Sequence, residues 1–190
     1  IFISPVVMSQ NLKENPELEK KVKAFLATKR NSWRDLNIPT SDGQLLFDLI
    51  VENGYKNAVE IGTSTGHSGI WIAWALSKTG GKLITFEIDE RRYKEAQANF
   101  KEAGVLEYID ARLGNAHEMV PQLKGPIDFV FSDADKDWYK NYFIDIAPKL
   151  KVGGCFTAHN VTQTRRQSGI TEFVEYIESL SNFKTTYNYE

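Results

Sequence analysis

The sequence predicts an α/β fold, a doubly wound, mostly parallel Rossmann-like sheet with helices on both faces. Short apolar runs of strand length alternate with longer segments of helical period from Ala58 onward. Strands separated by helices form βαβ units, in which the strands run parallel. The length of 190 residues and the hydrophobic share of 42% suit one domain with its own core.

Two helices are predicted before the first strand. Asn15-Pro16-Glu17 combines a cap residue, a proline at the first helical position and an acid, so a helix should run to about Arg30. Ser41-Asp-Gly-Gln44 has the pattern of a capping box and predicts a second helix with Leu45, Leu46, Leu49 and Ile50 on its apolar face. We divide the single domain into an N-terminal arm and helix, residues 1–36, and a main part, residues 37–190.

The main part alternates between strands and helices. Strands are expected at residues 58–61, 82–87, 108–113, 127–132, 154–158 and 183–189. Helices are expected at residues 67–78, 90–103 with Asp89 as cap, 116–123, 136–150 and 169–180. In such sheets ligands bind beyond the carboxyl ends of the strands, so the chemistry is expected directly after each strand.

Composition excludes several classes of protein. A net charge of −2 argues against a nucleic-acid partner, and no run approaches the ~20 apolar residues of a membrane span. The single cysteine, Cys155, excludes an internal disulfide and is expected as a buried thiol. Residues 1–10 have two readings: the end of a secretory signal with its cleavage site, or an apolar arm packed on the domain or on a second subunit.

The turn after the first strand contains two glycines, Gly62 and Gly66, that let the backbone approach a ligand closely. A dinucleotide fingerprint would need glycines where Ser64 and His67 stand, and no Gly-Lys-Ser/Thr of a P-loop follows. An NAD-dependent reductase is therefore disfavoured. The remaining pattern, an acid at Glu60 followed by Gly-x-x-x-Gly, suits either a ligand-binding turn or a plain strand-to-helix turn.

Polar residues also follow the second and third strands. A carboxylate at the end of a strand, such as Glu87, can accept hydrogen bonds from both hydroxyls of a ribose, so we predict a ligand role for it. Asp89 is predicted only to cap the next helix. The loop at Asn115-Ala116 could present amide groups to an adenine edge, which is a weak signal alone.

Acids and a lysine follow the fourth strand, at Asp133, Asp135 and Lys136. Clustered acids suggest a hard cation, whereas the alternative is a polar turn that caps the next helix. His159-Asn160 follows the fifth strand. Since the fourth and fifth strands should be neighbours, Asp133 and this pair are expected to converge.

Four motifs, taken together and in order, resemble the cation-dependent O-methyltransferases, which include catechol and caffeoyl-CoA O-methyltransferases and bacterial relatives. They are Glu60-Ile-Gly-Thr-Ser-Thr-Gly-His-Ser68, Ile84-Thr-Phe-Glu-Ile-Asp89, Asp128-Phe-Val-Phe-Ser-Asp-Ala-Asp-Lys136 and Leu150-Lys-Val-Gly-Gly154. The resemblance runs from about Asn37 to Tyr189. It implies a class I methyltransferase dependent on S-adenosylmethionine (SAM), with a seven-stranded sheet whose final strand is missing here.

The resemblance also implies roles for individual residues. Glu87 would hold the ribose, Asp133 would bridge cofactor and metal and take part in catalysis, and Lys136 matches the catalytic lysine. The residues expected at the cofactor are Ile38, Glu60, Gly62, Ser64, Gly66, Ser68, Glu87, Asn115, Ala116 and Asp133.

One position departs from the family pattern. His159 stands where the family usually has aspartate, so the implied metal set is Asp133, His159 and Asn160. Mg²⁺ prefers oxygen ligands, whereas imidazole suits softer ions such as Zn²⁺ or Mn²⁺. Two outcomes stay open: an altered site for Mg²⁺, Mn²⁺ or Zn²⁺, or no metal at all, with His159 acting as a base.

The function that these expectations imply is methyl transfer from SAM to a hydroxyl oxygen of a small, catechol-like acceptor. The alternatives are a metal-independent O- or N-methyltransferase and a SAM-binding module without catalysis.

Trp138 and Tyr139 would flank an aromatic acceptor or lie in the core, and Arg165 and Arg166 would meet an acidic acceptor or face water. A homodimer is expected from the family. Cytoplasmic residence is favoured because SAM is made in the cytosol, with export as the alternative.

Overall fold

Five parallel strands form the sheet, in the order β3-β2-β1-β4-β5. The computed structural model describes residues 12–29, 37–161 and 168–188, so the N-terminal arm at residues 1–10, Arg165 and Arg166 lie outside it. The strands are β1 Asn57–Ile61, β2 Lys82–Glu87, β3 Ile109–Leu113, β4 Ile127–Ser132 and β5 Leu150–Ala158. The predicted doubly wound α/β fold is confirmed.

Seven α-helices accompany the strands in the described part of the chain. They are α1 Pro16–Lys29, α2 Thr40–Asn53, α3 His67–Thr79, α4 Glu90–Ala103, α5 Ala116–Met119, α6 Tyr139–Ile146 and α7 Ser168–Glu178. Helix α4 begins as predicted, because the Asp89 side chain accepts a hydrogen bond of 2.8 Å from the backbone N–H of Arg92. No helix in these ranges has the length and apolar character needed to span a membrane.

The helices cover the sheet on both faces because neighbouring strand residues point in opposite directions. Val59 and Ile61 of β1 pack with α6 and α7, whereas Ala58 packs with α2 and α3. Helix α3 is buried along most of its length, since α1 and α4 cover the side that turns away from the sheet. Cys155, predicted to be buried, is half-buried in β5, and its desolvation raises the pKa of the thiol.

The predicted capping box at the start of α2 is wrong. The helix begins two residues earlier than the pattern implies, with Pro39 at the cap position and no side-chain cap. Ser41 therefore lies inside the first turn, where its hydroxyl donates to the neighbouring Asp42 carboxylate at 3.2 Å. Gln44 donates to Asp48 instead of reaching back to the helix start.

The region between β4 and the end of β5 also differs from the prediction. The helix expected at residues 136–150 has 3₁₀ turns at Lys136–Trp138 and Ala147–Lys149 on either side of α6. Pro148 lies in the second turn, and proline lacks the N–H that would continue an α-helix. Strand β5 begins at Leu150 rather than residue 154, with an irregular register opposite Ile127 and Phe129.

The strand predicted at residues 183–189 does not form at residues 183–188. Side-chain burial does alternate there, and Phe183 packs on Phe143 with ring centroids 5.1 Å apart. A strand also requires backbone groups paired with a neighbouring strand, and this segment has no such pairing. The described residues therefore form five strands, where six were predicted.

One buried carboxylate joins three strands at the amino-terminal edge of the sheet. Asp128 of β4 accepts hydrogen bonds from the backbone N–H groups of Lys56 at 2.8 Å and Asn57 at 3.0 Å, and pairs with Lys151 at 2.6 Å. Burial alone would raise the pKa of Asp128, but the bonds from Lys151 and the two backbone groups hold it below its ordinary value.

We expect Asp128→Ala to lower the free energy of unfolding by about 2–4 kcal/mol, because two buried N–H groups lose their acceptor. The control Lys151→Ala should cost less than about 1 kcal/mol, since that lysine is half-exposed. Because the native pKa is depressed, the contribution of Asp128 is present above the unfolded pKa near ~4 and is lost as the pH falls further. Urea denaturation at several pH values checks both points, and equal losses in the two variants would contradict this role.

Candidate active site

The carboxyl ends of the strands meet at one edge, and backbone hydrogen bonds continue there beyond the strands. The N–H of Gly62 donates to Phe86 at 3.1 Å, and that of Asp133 donates to Ile61 at 2.9 Å. On the far side, the N–H of His159 donates to Ser132 at 3.0 Å. These bonds hold the first residues of three loops in register, which brings most of the predicted site residues to one place.

The turn between β1 and α3 requires glycine at both predicted positions. Gly62 has φ +102°, and a Cβ atom there would lie 2.8 Å from the carbonyl oxygen of Asp133. Gly66 has φ +96°, and a Cβ atom there would lie 2.6 Å from the ring of Phe100. Only glycine adopts this backbone at little cost in such confined space. Ser64, between them, also has a positive φ, of 49°.

Glu87 is held against this turn by two backbone hydrogen bonds. One carboxylate oxygen accepts the N–H of Ser64 at 2.7 Å, and the other accepts the N–H of Asp89 at 2.9 Å. The side chain is only 7% exposed. Each oxygen has a second lone pair, so the oriented carboxylate can still accept from a ligand.

Glu60 lies beneath the turn and is fully buried. One carboxylate oxygen accepts the hydroxyl of Thr85 at 2.6 Å, while the other, Oε1, has no hydrogen-bond partner among the described residues. Burial raises the pKa of Glu60 to about 7 against the opposing hydrogen bonds from Ser68 and Thr85, and the Asp133 and Glu87 carboxylates raise it further. A buried acceptor without a donor is costly, which indicates a place for a ligand donor.

The remaining predicted cofactor residues lie before α2 and after β3, where the N–H of Gly114 donates to the carbonyl oxygen of Glu87 at 2.8 Å. Ile38 is buried and its carbonyl oxygen lies 2.9 Å from Nδ1 of His67, which fixes the segment before α2 against α3. Asn115 caps α5, with its side-chain oxygen accepting the N–H of His117 at 3.0 Å. Ala116 follows at the first position of α5.

Lys136 lies between two oxygen atoms after β4. Its Nζ atom is 2.9 Å from Oδ1 of Asp133 and 3.1 Å from the hydroxyl of Tyr139. That hydroxyl donates in turn to the carbonyl oxygen of His159 at 3.1 Å. Tyr139 is thus a fully buried core residue whose polar end belongs to the site. Trp138 is half-buried and stacks on His117 at 4.1 Å between ring centroids.

His159 lies between two carboxylates. Its Nε2 atom forms a hydrogen bond of 2.8 Å with Oδ2 of Asp42, whereas its Nδ1 atom lies 3.2 Å from Oδ2 of Asp133, an ion-pair distance without hydrogen-bond geometry. Burial alone would lower the pKa of His159, but Asp133 and Asp42 together hold it above its ordinary value. Sequence reasoning missed Asp42, because it lies 117 residues away in the chain and belonged to a predicted capping pattern.

Comparison with known proteins identifies the family. The sequence model of the O-methyltransferase family matches residues 8–166.

The chain belongs to the O-methyltransferase family.

Curated relatives agree with this membership. A catechol O-methyltransferase of Niastella koreensis is 41% identical over 130 residues, which cover 66% of this chain and 58% of the relative. Caffeoyl-CoA O-methyltransferase 1 of Eucalyptus globulus is 35% identical over 144 residues, covering 73% of this chain and 57% of the relative. The chain thus spans less than two thirds of the length of these relatives.

Solved structures of O-methyltransferases share the fold. The enzyme from Bacillus cereus, in complex with SAH, has a TM-score of 0.71 at 27% identity and covers 89% of this chain and 81% of its own. TomG from Streptomyces achromogenes, in complex with SAM, has a TM-score of 0.71 at 28% identity, with 90% and 81% covered.

The residues of this chain do not fit the implied divalent-cation site. Among the described residues, no group of three or more His, Cys, Asp or Glu side chains is placed to hold a metal ion. The carboxylate of Asp133 already faces Lys136 with one oxygen and His159 with the other. Asn160, the third implied ligand, is exposed. Asp135 caps the 3₁₀ turn at Lys136–Trp138, which is the alternative to a cation ligand that the sequence predicted.

We expect the ligand-free protein to lose stability through Glu60 as the pH rises from 5 to 8. Its raised pKa means that the native state keeps a proton that the unfolded state has released, so the free energy of unfolding falls across this range, by up to roughly 3 kcal/mol. Glu60→Gln should remove this dependence, measured by urea denaturation at several pH values. The control is Glu118→Gln, at an exposed position. A difference between Glu60→Gln and wild type that does not change with pH would contradict the expectation.

Proposed function

We propose that this chain binds SAM at the carboxyl edge of its sheet and transfers the methyl group to a hydroxyl oxygen of a small, catechol-like acceptor. The main observation in support of this proposal is that the Glu87 carboxylate is buried and is oriented by two N–H groups beside a turn that requires glycine. Family membership supports the reaction class. The catechol and caffeoyl-CoA O-methyltransferases among the relatives support the class of acceptor.

The residues present fit a sulfonium nucleoside. The remaining lone pairs of Glu87 suit the two ribose hydroxyls. The unpartnered oxygen of Glu60 suits an N–H donor of the amino-acid part of SAM. Asn115 and Ala116 would flank the adenine. The other cofactor residues implied by the resemblance are Ile38, Ser64, Gly66, Ser68 and Asp133.

When bound, SAM supplies a methyl group already activated on a sulfonium sulfur. The protein must align the acceptor oxygen with that methyl carbon and favour its anionic form. With SAM bound, the acceptor hydroxyl would release its proton to solvent, and the methyl group would pass from sulfur to oxygen, leaving the electron pair of the broken carbon–sulfur bond on sulfur.

Lys136 is the residue we propose to act on the acceptor oxygen. Its Nζ atom donates hydrogen bonds to Asp133 and Tyr139. An ammonium group has three N–H donors, so a third remains for the acceptor. A preorganised cation at the developing oxyanion stabilises it, with Asp133 holding the lysine in place.

We make three further proposals. The chain divides into an N-terminal arm and helix at residues 1–36 and a methyltransferase domain at residues 37–190. It forms a homodimer, as the resemblance implies, and it resides in the cytoplasm, where SAM is made.

Glu87→Ala should weaken SAM binding at least about 100-fold, because two charge-assisted hydrogen bonds to the ribose are lost. Isothermal titration with SAM measures the change. Glu90→Ala is the matched control, since Glu90 is exposed in the next helix and pairs only with Lys94 in the described contacts. An unchanged affinity in Glu87→Ala would contradict the assigned site.

Lys136→Ala should leave SAM affinity within about threefold of wild type and reduce kcat at least about 100-fold, because oxyanion stabilisation is lost. Transfer of a labelled methyl group from SAM to a panel of catechols and other phenols measures this. The control is Lys140→Ala, on the same segment and 5.4 Å from the Tyr176 ring. A loss of SAM binding in Lys136→Ala as large as that in Glu87→Ala would contradict this role. Wild type that binds SAM but methylates no hydroxylated acceptor would instead be a binding module.

A further inference from the structure

We propose that His159 takes the place of the divalent cation in this O-methyltransferase, so that methyl transfer needs no metal ion, and that Asp42 positions His159 for this role. The inference rests on the proposed function. It adds that the Asp133 carboxylate is paired with Lys136 and His159 of this chain and not with a metal ion.

The first argument is the position of the imidazole ring. It bridges the start of α2 and the end of β4, with one nitrogen 2.8 Å from Asp42 and the other 3.2 Å from Asp133. The three side chains are 20%, 28% and 15% exposed, respectively for His159, Asp42 and Asp133, so the bridge is partly shielded from water. Such shielding strengthens the attraction between these groups.

The second argument is the number of ligands. A protein site for Mg²⁺ or Mn²⁺ is built from oxygen ligands, and zinc sites use at least three protein ligands. The described residues supply only Asp133 and the ring of His159 at this point, because Asn160 is exposed and Asp42 lies on the far side of the ring. Two ligands, one of them already paired with Lys136, do not make a metal site.

The third argument is that the charges are already matched. Asp133 faces the Lys136 ammonium with one oxygen at 2.9 Å and the imidazole with the other. A cation bound to the second oxygen of Asp133 would have to displace the imidazole, whose Nδ1 atom lies 3.2 Å from that oxygen. Lys136 and His159 thus occupy both sides of the carboxylate that the family would present to a metal.

Asp42 is a positioning residue in this scheme, because it touches His159 and not the reacting atoms. Its contact with Nε2 turns the ring so that Nδ1 faces Asp133. The Asp42 side chain comes from the first turn of α2, a helix that the sheet contacts through its apolar face. The contact between Asp42 and His159 therefore also connects α2 to the carboxyl edge of the sheet.

The first test measures metal binding without reference to activity. Mn²⁺ is titrated into wild type, His159→Asp and the control His159→Asn, with free Mn²⁺ followed by electron paramagnetic resonance. Wild type and His159→Asn should leave Mn²⁺ free. His159→Asp should bind Mn²⁺ more tightly than either, since it replaces the imidazole with a second carboxylate beside Asp133. Stoichiometric binding by wild type that is lost in His159→Asn would overturn the proposal, as would a Mn²⁺ affinity of folded His159→Asp no higher than that of His159→Asn.

The second test measures methyl transfer in EDTA. Wild type should retain its rate within about twofold, whereas His159→Asp should lose at least about tenfold and recover with Mn²⁺. Loss of wild-type turnover in EDTA with recovery in Mn²⁺ would overturn metal independence. Absence of SAM binding in every condition would instead defeat the proposed function, and the Mn²⁺ titration would still report on His159.

The third test concerns Asp42. Asp42→Asn should lower kcat with little change in SAM affinity, and Asp42→Glu should restore part of the loss, because it returns a carboxylate to the ring. Asp48→Asn, on the same helix, is the matched control, and thermal unfolding shows that each variant folds. An Asp42→Asn enzyme with the kcat of Asp48→Asn would overturn the positioning role.

Discussion

The site depends on the close approach of the turn after β1 to the loop after β4. A Cβ atom at Gly62 would lie 2.8 Å from the carbonyl oxygen of Asp133, so the two segments can meet only because this residue has no side chain. Their meeting brings Glu60, from within β1, and Asp133, from the start of the next loop, into electrostatic contact. Glu87 joins them through its hydrogen bond to Ser64.

Three carboxylates in a confined space repel each other, and each is stabilised in a different way. Glu60 is fully buried, and this burial raises its pKa to about 7. Glu87 accepts two backbone N–H groups and remains available to a ligand. Asp133 pairs with two cationic or potentially cationic side chains, Lys136 and His159. These differences in environment separate the roles that we assign to the three acids.

The same edge of the sheet contains the position at which this chain departs from the family pattern. An aspartate at position 159 would place a second carboxylate beside Asp133. His159 instead directs its ring between Asp133 and a carboxylate of α2, an element absent from the sequence motif. The orientation of the His159 ring depends on Asp42, so the sequence motif around His159 does not by itself predict what this residue contacts.

Local sequence signals determined the β2 boundaries, the Asp89 cap of α4, the glycine positions of the first turn and the residues that follow each strand. Each depends on neighbours within a few positions, where backbone sterics and capping act directly. Signals that needed a distant partner failed. Burial alternates at residues 183–188 without a strand to pair with, and Ser41 is not the cap because α2 begins two residues earlier. Only the tertiary structure decided that Asp42 contacts His159 across 117 residues, because chain folding, and not local preference, brings α2 to the end of β5.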